Sequence, residues 1–217
     1  MKLADAYLDK GKYSLATKQF LKVIKKAPDH LPAFLGYATA LERLGNNKQI
    51  HDAVVAYGNA TKVAITQGEE FDPLAKAGSG GMAESILRRA IQVTQSMSSG
   101  RLETLRTLSA YAHTAILAAD IYYAIGMEIK RQGIDVKNNK AEAIEAFTFA
   151  NEFIAMRNDT EAPFHAKSIL EMGTIALDND ENAVEAVEYF NKAKALHLKD
   201  DDHVKLLVLS GRAHMVS

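Results

Sequence analysis

The chain has no cysteine and no tryptophan, and only four of its 217 residues are proline. Without cysteine, disulfide bridges, cysteine-ligated zinc sites and thiol nucleophiles are excluded. Scarce proline leaves room for long helices, because proline inside a helix removes a hydrogen-bond donor and clashes with the preceding turn. Aromatic residues make up 7% of the chain, although hydrophobic residues, many of them alanine, make up 47%. Alanine favours closely packed helices, so this composition predicts an all-α protein.

The charge balance and the hydropathy pattern exclude further classes of protein. A net charge of −1 argues against general binding of nucleic acid. No segment resembles a signal peptide or an apolar run of about 18 residues, which predicts an intracellular, cytoplasmic protein that does not insert into membranes. Lysines are concentrated in residues 1–26, whereas the C-terminal third of the chain is acidic. This asymmetry indicates either solvated helix faces or a surface that steers a charged partner.

An alanine, an aromatic residue and a second small apolar residue recur at one spacing. The four copies are Ala16-x3-Phe20-x2-Val23, Ala53-x3-Tyr57-x2-Ala60, Ala143-x3-Phe147-x2-Ala150 and Ala186-x3-Phe190-x2-Ala193. Each copy ends a segment with the pattern of two helices joined by a turn. Alanine at a helix crossing lets two backbones approach, and the aromatic ring fills the space between their ridges. Repetition at about 34–40 residues is typical of a stacked helical array.

In register, these segments resemble the tetratricopeptide repeat (TPR), whose consensus is W-x2-L-G-x2-Y-x5-Y-x2-A-x3-F-x2-A-x4-P. The first copy supplies Leu3, Ala4, Tyr7, Tyr13, Ala16, Phe20, Val23 and Pro28. Three further matches start at Phe34, Tyr122 and Ile169. The resemblance implies an all-α fold, a right-handed superhelix of stacked antiparallel helix pairs, which is a TPR-like α-solenoid.

The matches predict one domain over residues 1–217. Its units span residues 1–30, 31–67, 82–118, 119–157 and 163–199, with a partial unit at 203–217. A chain that starts and stops inside repeats is expected to be a fragment of a longer array or an array closed by partners. The third unit is degenerate. Before it, Asp72-Pro73 predicts the start of a short helix, and Gly78–Gly81 predicts a flexible connector.

Two connections depart from the consensus. In the second unit, a turn at Asn46–Lys48 is predicted to be longer than in the family. Between Leu102 and Ile125 no glycine or proline interrupts the helical pattern. That stretch predicts either a hairpin or one continuous helix of about 30 residues, which would join the third unit to the fourth.

The resemblance also implies where a partner binds, because the first helices of TPR hairpins line a concave groove. The positions matching that groove are Leu35, Thr39 and Arg43 in the second unit, Tyr123, Met127, Lys130 and Arg131 in the fourth, and Lys167 and Glu171 in the fifth. Such a mixture of apolar and charged side chains suits an extended or helical peptide. Tyr123, Met127 and Arg131 follow one another on one helix face and are predicted anchors. The alternative is that Tyr123 and Met127 pack within the superhelix.

No catalytic site, metal site or cofactor is predicted. His197 and His203 enclose three aspartates that could bind a divalent cation, but an acidic first turn of the following helix explains the same residues.

The predicted function is a protein–protein interaction module, an adaptor or scaffold, whose partner is a protein or peptide. The alternatives are a structural subunit of a multiprotein assembly and the regulatory repeat region of a longer protein.

Overall fold

The computed structural model describes residues 1–67, 81–112, 115–134, 138–155, 165–178, 182–196, 198 and 200–216. These residues form eleven helices and contain no β-strand, which confirms the all-α class. The helices are α1 (Lys2–Asp9), α2 (Tyr13–Lys26), α3 (Leu31–Leu44), α4 (Asn47–Thr66), α5 (Met82–Thr94), α6 (Arg101–Ser109), α7 (Ala115–Gln132), α8 (Asn139–Ala155), α9 (His165–Leu177), α10 (Ala183–Lys194) and α11 (Asp200–Val216). Within the described ranges, no helix combines the length and the apolar character needed to cross a bilayer.

The helices are grouped in two compact units, Met1–His113 and Thr114–Ser217. In the first unit, α2 packs on α1 and also on α3, and α4 packs on α3 and also on α5. The second unit repeats this order, since α8 packs on α7 and α9, and α10 on α9 and α11. Each unit is therefore a TPR-like solenoid in which every hairpin stacks on the next. A single right-handed superhelix through residues 1–217 stays a prediction.

The repeated signature forms the core of the hairpins. Its three phenylalanines, Phe20, Phe147 and Phe190, are at most 1% exposed, and Tyr57 is 5% exposed. The alanines that precede them by four residues are buried as well. The spacing therefore identified the packing faces of α2, α4, α8 and α10, which confirms the core predicted from the sequence.

A glycine lies against each of the three phenylalanine rings: Gly36 against Phe20, Gly126 against Phe147 and Gly173 against Phe190. A Cβ atom added to Gly126 would lie 2.7 Å from Cε1 of Phe147, and one added to Gly173 would lie 2.5 Å from Cε1 of Phe190. Both distances are shorter than a carbon–carbon contact allows. The first helix of each hairpin can approach the aromatic ring of the second only because these positions carry no side chain.

We expect Gly173→Ala to lower the free energy of unfolding by about 2 kcal/mol. The clash with the buried ring costs up to about 3 kcal/mol, and the helix propensity of alanine recovers about 1 kcal/mol. Gly211→Ala is the matched control, because no atom lies within 4 Å of its added Cβ. There the same change should stabilise the protein by up to about 1 kcal/mol. Urea denaturation at about 1 µM chain measures both values, and stabilisation by both substitutions would contradict the close contact.

The continuous helix of about 30 residues is wrong. Helix α6 ends at Ser109, and the amides of Tyr111 and Ala112 then donate to carbonyls three residues earlier, at 2.9 and 3.1 Å. This turn brings the Tyr111 ring against α4, where a Cβ on Gly58 would lie 2.6 Å from the ring. Lys62 Nζ lies 4.6 Å from the centroid of the same ring. Docking of Tyr111 on α4 thus outweighs the helical propensity of the intervening residues.

The long turn predicted at Asn46–Lys48 is also wrong. Helix α3 ends at Leu44, Gly45 follows with φ 77°, and α4 already begins at Asn47. The Asn46 side chain caps α4 by accepting a hydrogen bond from the amide of Gln49 at 2.9 Å. Asparagine commonly caps a helix in this way, so two residues suffice for the turn.

The third unit contains two helices, because α5 ends at Thr94 and α6 begins at Arg101 after Gly100 with φ 71°. The predictions for Asp72-Pro73 and for the glycines at 78 and 80 lie outside the described residues. Gly81 is described and is the N-cap residue of α5.

Candidate protein-interaction face

In the first unit, the predicted groove residues share one face of α3. Two are half-buried and the third is exposed: Leu35, Thr39 and Arg43. Beside them, Glu42 accepts a hydrogen bond from the Tyr57 hydroxyl at 3.0 Å and forms an ion pair with Arg89 of α5. Burial raises the pKa of Tyr57, a hydrogen bond from Thr39 opposes that rise, and the charge of Glu42 adds to it. The first helices α3 and α5 are therefore linked through polar side chains.

In the second unit, Glu171 of α9 is the centre of a polar network. Its carboxylate accepts hydrogen bonds from Lys130 of α7 at 2.5 Å and from Lys205 of α11 at 2.6 Å. Glu171 is only 7% exposed. Burial alone would raise its pKa, but the hydrogen bonds and positive charges of the two lysines lower the pKa below its ordinary value. The network ties together three helices that hold equivalent places in consecutive hairpins.

A second ion pair joins α9 to α11. Lys167 Nζ lies 3.2 Å from a carboxylate oxygen of Asp202. Asp202 belongs to the first turn of α11. The acidic cluster therefore forms the first turn of a helix, which was one of its two interpretations beside a cation site. Across the described part of the chain, no group of three or more His, Asp or Glu side chains is placed to hold a metal ion. His197 lies outside that part.

Tyr123 packs within its hairpin and lies close enough to the polar network for the carboxylates there to raise its pKa. Its ring is half-buried and lies 5.7 Å from the ring of Phe147, at an interplanar angle of 56°. Burial, followed by the negative charges of Glu171 and Asp202, raises the pKa of Tyr123 to about 12. The ring therefore packs within the hairpin, as the alternative interpretation predicted for Tyr123. Met127, one helical turn further along α7, is instead 37% exposed.

Arg131 is paired with a buried carboxylate. Its Nε and Nη2 donate to Glu128 at 2.9 and 2.6 Å, and Gln132 Nε2 donates to the same carboxylate at 3.2 Å. Glu128 is 1% exposed, whereas the Arg131 side chain is 59% exposed. Removal of Arg131 would take two hydrogen bonds and a positive charge away from the buried Glu128 carboxylate, so this arginine stabilises α7 and is also accessible to a ligand.

Sequence reasoning placed Lys130, Lys167 and Glu171 on one face but missed the side chains that hold them. Lys205 and Asp202 come from α11, whose match to the repeat is partial, and they are more than 30 residues from their partners. Glu128 carried a local signal, because a carboxylate three residues before Arg131 on a helix can pair with it.

No family model and no curated protein matches the chain. Among solved structures, the chain is similar to one described as the crystal structure of MamA, with 21% identity over 90% of this chain and 94% of that chain and a TM-score of 0.41. It is also similar to a MamA RS-1 ArsTM double mutant, with 18% identity over 89% and 90% and a TM-score of 0.39. MamA 41-end from Desulfovibrio magneticus RS-1 has 18% identity over 90% and 91% and a TM-score of 0.37. At these TM-scores none of the three defines the family or the function of the chain.

Proposed function

We propose that the chain is a cytoplasmic protein-interaction module, an adaptor or scaffold, with no chemistry of its own. The observation that carries the proposal is the convergence of α7, α9 and α11 on one accessible surface in the second unit. We name it the α7–α9–α11 face and define it by Tyr123, Met127, Lys130, Arg131, Lys167, Glu171, Asp202 and Lys205. The first unit offers Leu35, Thr39 and Arg43 as a second contact surface.

The α7–α9–α11 face suits binding because its charged side chains are already ordered. Glu171 holds lysines from two other helices, so these side chains lose less conformational freedom when a partner docks. Four cations (Lys130, Arg131, Lys167 and Lys205) oppose two carboxylates (Glu171 and Asp202), and the buried Glu128 paired with Arg131 reduces the excess from two positive charges to one. The exposed Met127 adds an adaptable apolar contact. A peptide or helix that combines an apolar side chain with an acidic one matches this surface.

The test compares Met127→Glu with Val184→Glu. Both replace an exposed apolar residue, but Val184 lies on α10, the second helix of its hairpin, and is 67% exposed. We expect Met127→Glu to weaken partner binding at least tenfold, because it places a carboxylate against the apolar part of the ligand, and Val184→Glu to leave binding unchanged. Both side chains are exposed, at 37% and 67%, so circular dichroism should report equal helicity for both variants.

A photo-crosslinking amino acid at position 127, compared with position 184, identifies the ligand of that face directly. The proposal predicts one protein crosslinked through position 127, and competition by excess unlabelled chain but not by Met127→Glu. Equal crosslinking from positions 127 and 184, or full competition by Met127→Glu, would contradict it.

A structural subunit of a larger assembly is the second candidate. It is favoured by the apolar side chains that α11 exposes, among them Val208 at 66% and Met215 at 82%. A permanent subunit would keep a stable set of partners in both the Met127→Glu and Val184→Glu variants, because other surfaces would hold it.

A further inference from the structure

Helix α11 is apolar on two opposite faces. One face is fixed in the core of the second unit, where Leu206 is 1% and Ala213 is 0% exposed. On the other face, four large apolar side chains are between 57% and 82% exposed: Val204, Leu207, Val208 and Met215. At 3.6 residues per turn, the two sets project in opposite directions. An exposed apolar stripe along a helix is typical of a surface that packs against a partner.

The exposed residues have the spacing of a helix–helix contact. Val204, Leu207, Val208, Gly211 and Met215, which we name the α11 stripe, follow the i, i+3, i+4, i+7, i+11 pattern. No atom lies within 4 Å of the position that a Cβ on Gly211 would occupy. A glycine within an apolar stripe allows a second helix to approach closely there.

We propose that the α11 stripe binds the α11 stripe of a second copy of this chain, with the two helices antiparallel about a two-fold axis. A two-fold axis between Leu207 and Val208 brings Val204 of one copy opposite Gly211 of the other, so a branched side chain meets an open position. The contact between Val204 and Gly211 occurs twice, once on each side of the two-fold axis. The surface is therefore self-complementary.

The charges on α11 favour the antiparallel direction. Asp201 is exposed near the start of the helix, and Arg212 is exposed near its end. Antiparallel pairing places Asp201 of one copy within one turn of Arg212 of the other, and it also sets the two helix dipoles in opposite directions. Parallel pairing would instead bring the acidic starts of the two helices to one level and their basic ends to another, which is unfavourable. The charge pattern therefore selects a second copy in the antiparallel direction.

The association should be weak, because each chain contributes a single helix face to it. Sedimentation velocity between about 1 µM and about 1 mM chain should show a shift from monomer to dimer. We expect Leu207→Glu to raise the dissociation constant at least tenfold, since it places two carboxylates at the two-fold axis. Leu3→Glu is the matched control, because Leu3 on α1 is 56% exposed and Leu207 is 57% exposed; it should dimerise like the unmodified chain.

Disulfide crosslinking tests the direction of the helices, since the chain has no cysteine of its own. In a mixture of Val204→Cys and Gly211→Cys chains, the proposal predicts that disulfides between unlike chains form several times faster than disulfides between like chains. Faster formation between like chains would exclude the antiparallel arrangement. A chain that stays monomeric up to about 1 mM, or a Leu207→Glu variant that dimerises normally, would overturn the proposal and leave the stripe to a different protein or segment. Either result is independent of Met127 and its face.

Discussion

Replacement of Phe190 by alanine should lower the free energy of unfolding of the second unit by about 3–5 kcal/mol. Phe190 on α10 is 1% exposed and lies in a core cluster with Leu170 and Leu177 of α9 and Leu206 of α11. The ring also fills the space beside Gly173, which has no side chain that could move into the cavity. A domain is commonly stable by only about 5–15 kcal/mol, so this one substitution should bring the unit close to unfolding at room temperature.

Urea denaturation followed by circular dichroism measures this loss, provided that the slope of the transition stays unchanged. Val184→Ala is the control on the same helix, because Val184 is 67% exposed and its truncation should change the unfolding free energy by less than about 0.5 kcal/mol. A loss below about 1 kcal/mol for Phe190→Ala would mean that α10 is not anchored through this ring.

The core of the hairpins could be predicted because its contacts are local in sequence. The alanine and phenylalanine of each signature lie on one face of one helix, and they pack mainly on the helix just before or after it in the chain. The same spacing therefore encodes both the helix and its packing face. Gly173 opposite Phe190 follows the same logic, since the consensus places a glycine in the first helix and an aromatic residue in the second.

A contact between distant residues explains one of the two errors in the predicted fold. Nothing in the sequence around Tyr111 indicates a break, because the reason for the break is the surface of α4 at Gly58. The unexpectedly short turn of the second unit has a local cause, the side-chain cap supplied by Asn46. Asn46 was visible in the sequence, but asparagine is common in loops as well as at helix starts. The residue type alone therefore did not distinguish a long turn from an early start of α4.

The candidate face was predicted only in part for a similar reason. The consensus identifies which positions of α7 and α9 point away from the core, and this placed Lys130 and Glu171 on one surface. It does not identify which of them pair, because pairing depends on the spacing between successive hairpins. Lys205 was beyond reach for sequence reasoning, since α11 matches only half of a repeat.

Loss of the charge on Glu171 should have the second large effect. We expect Glu171→Gln to lower the free energy of unfolding by about 2–3 kcal/mol, because it leaves two lysines facing each other beside a neutral amide. The value lies below that for a fully buried pair, since the side chains of Lys130 and Lys205 are 22% and 41% exposed. Glu188→Gln, which removes a carboxylate from an exposed position of α10, should change stability by less than about 0.5 kcal/mol.

The pH dependence separates this ionic contribution from simple packing. The two lysines outweigh the effect of burial and lower the pKa of folded Glu171 below its ordinary value of 4.5. Its contribution is therefore fully present above the ordinary pKa and is lost as the pH falls through the pKa of the folded state, because the unfolded chain takes up the proton first. The difference in unfolding free energy between the unmodified chain and Glu171→Gln should be constant above about pH 5 and should shrink below it.

A double-mutant cycle then tests whether the network links the helices as a unit. Lys130→Gln and Glu171→Gln should together cost less than the sum of the single changes, by about 0.5–3 kcal/mol, since each single change already removes the same ion pair. The double variant keeps Lys205 without its acceptor, so part of the loss should remain. Additive losses, or a Glu171→Gln difference that persists unchanged below the ordinary pKa, would contradict an ionic link between α7 and α9. The α7–α9–α11 face would then be a set of neighbouring side chains whose order depends on hairpin packing alone.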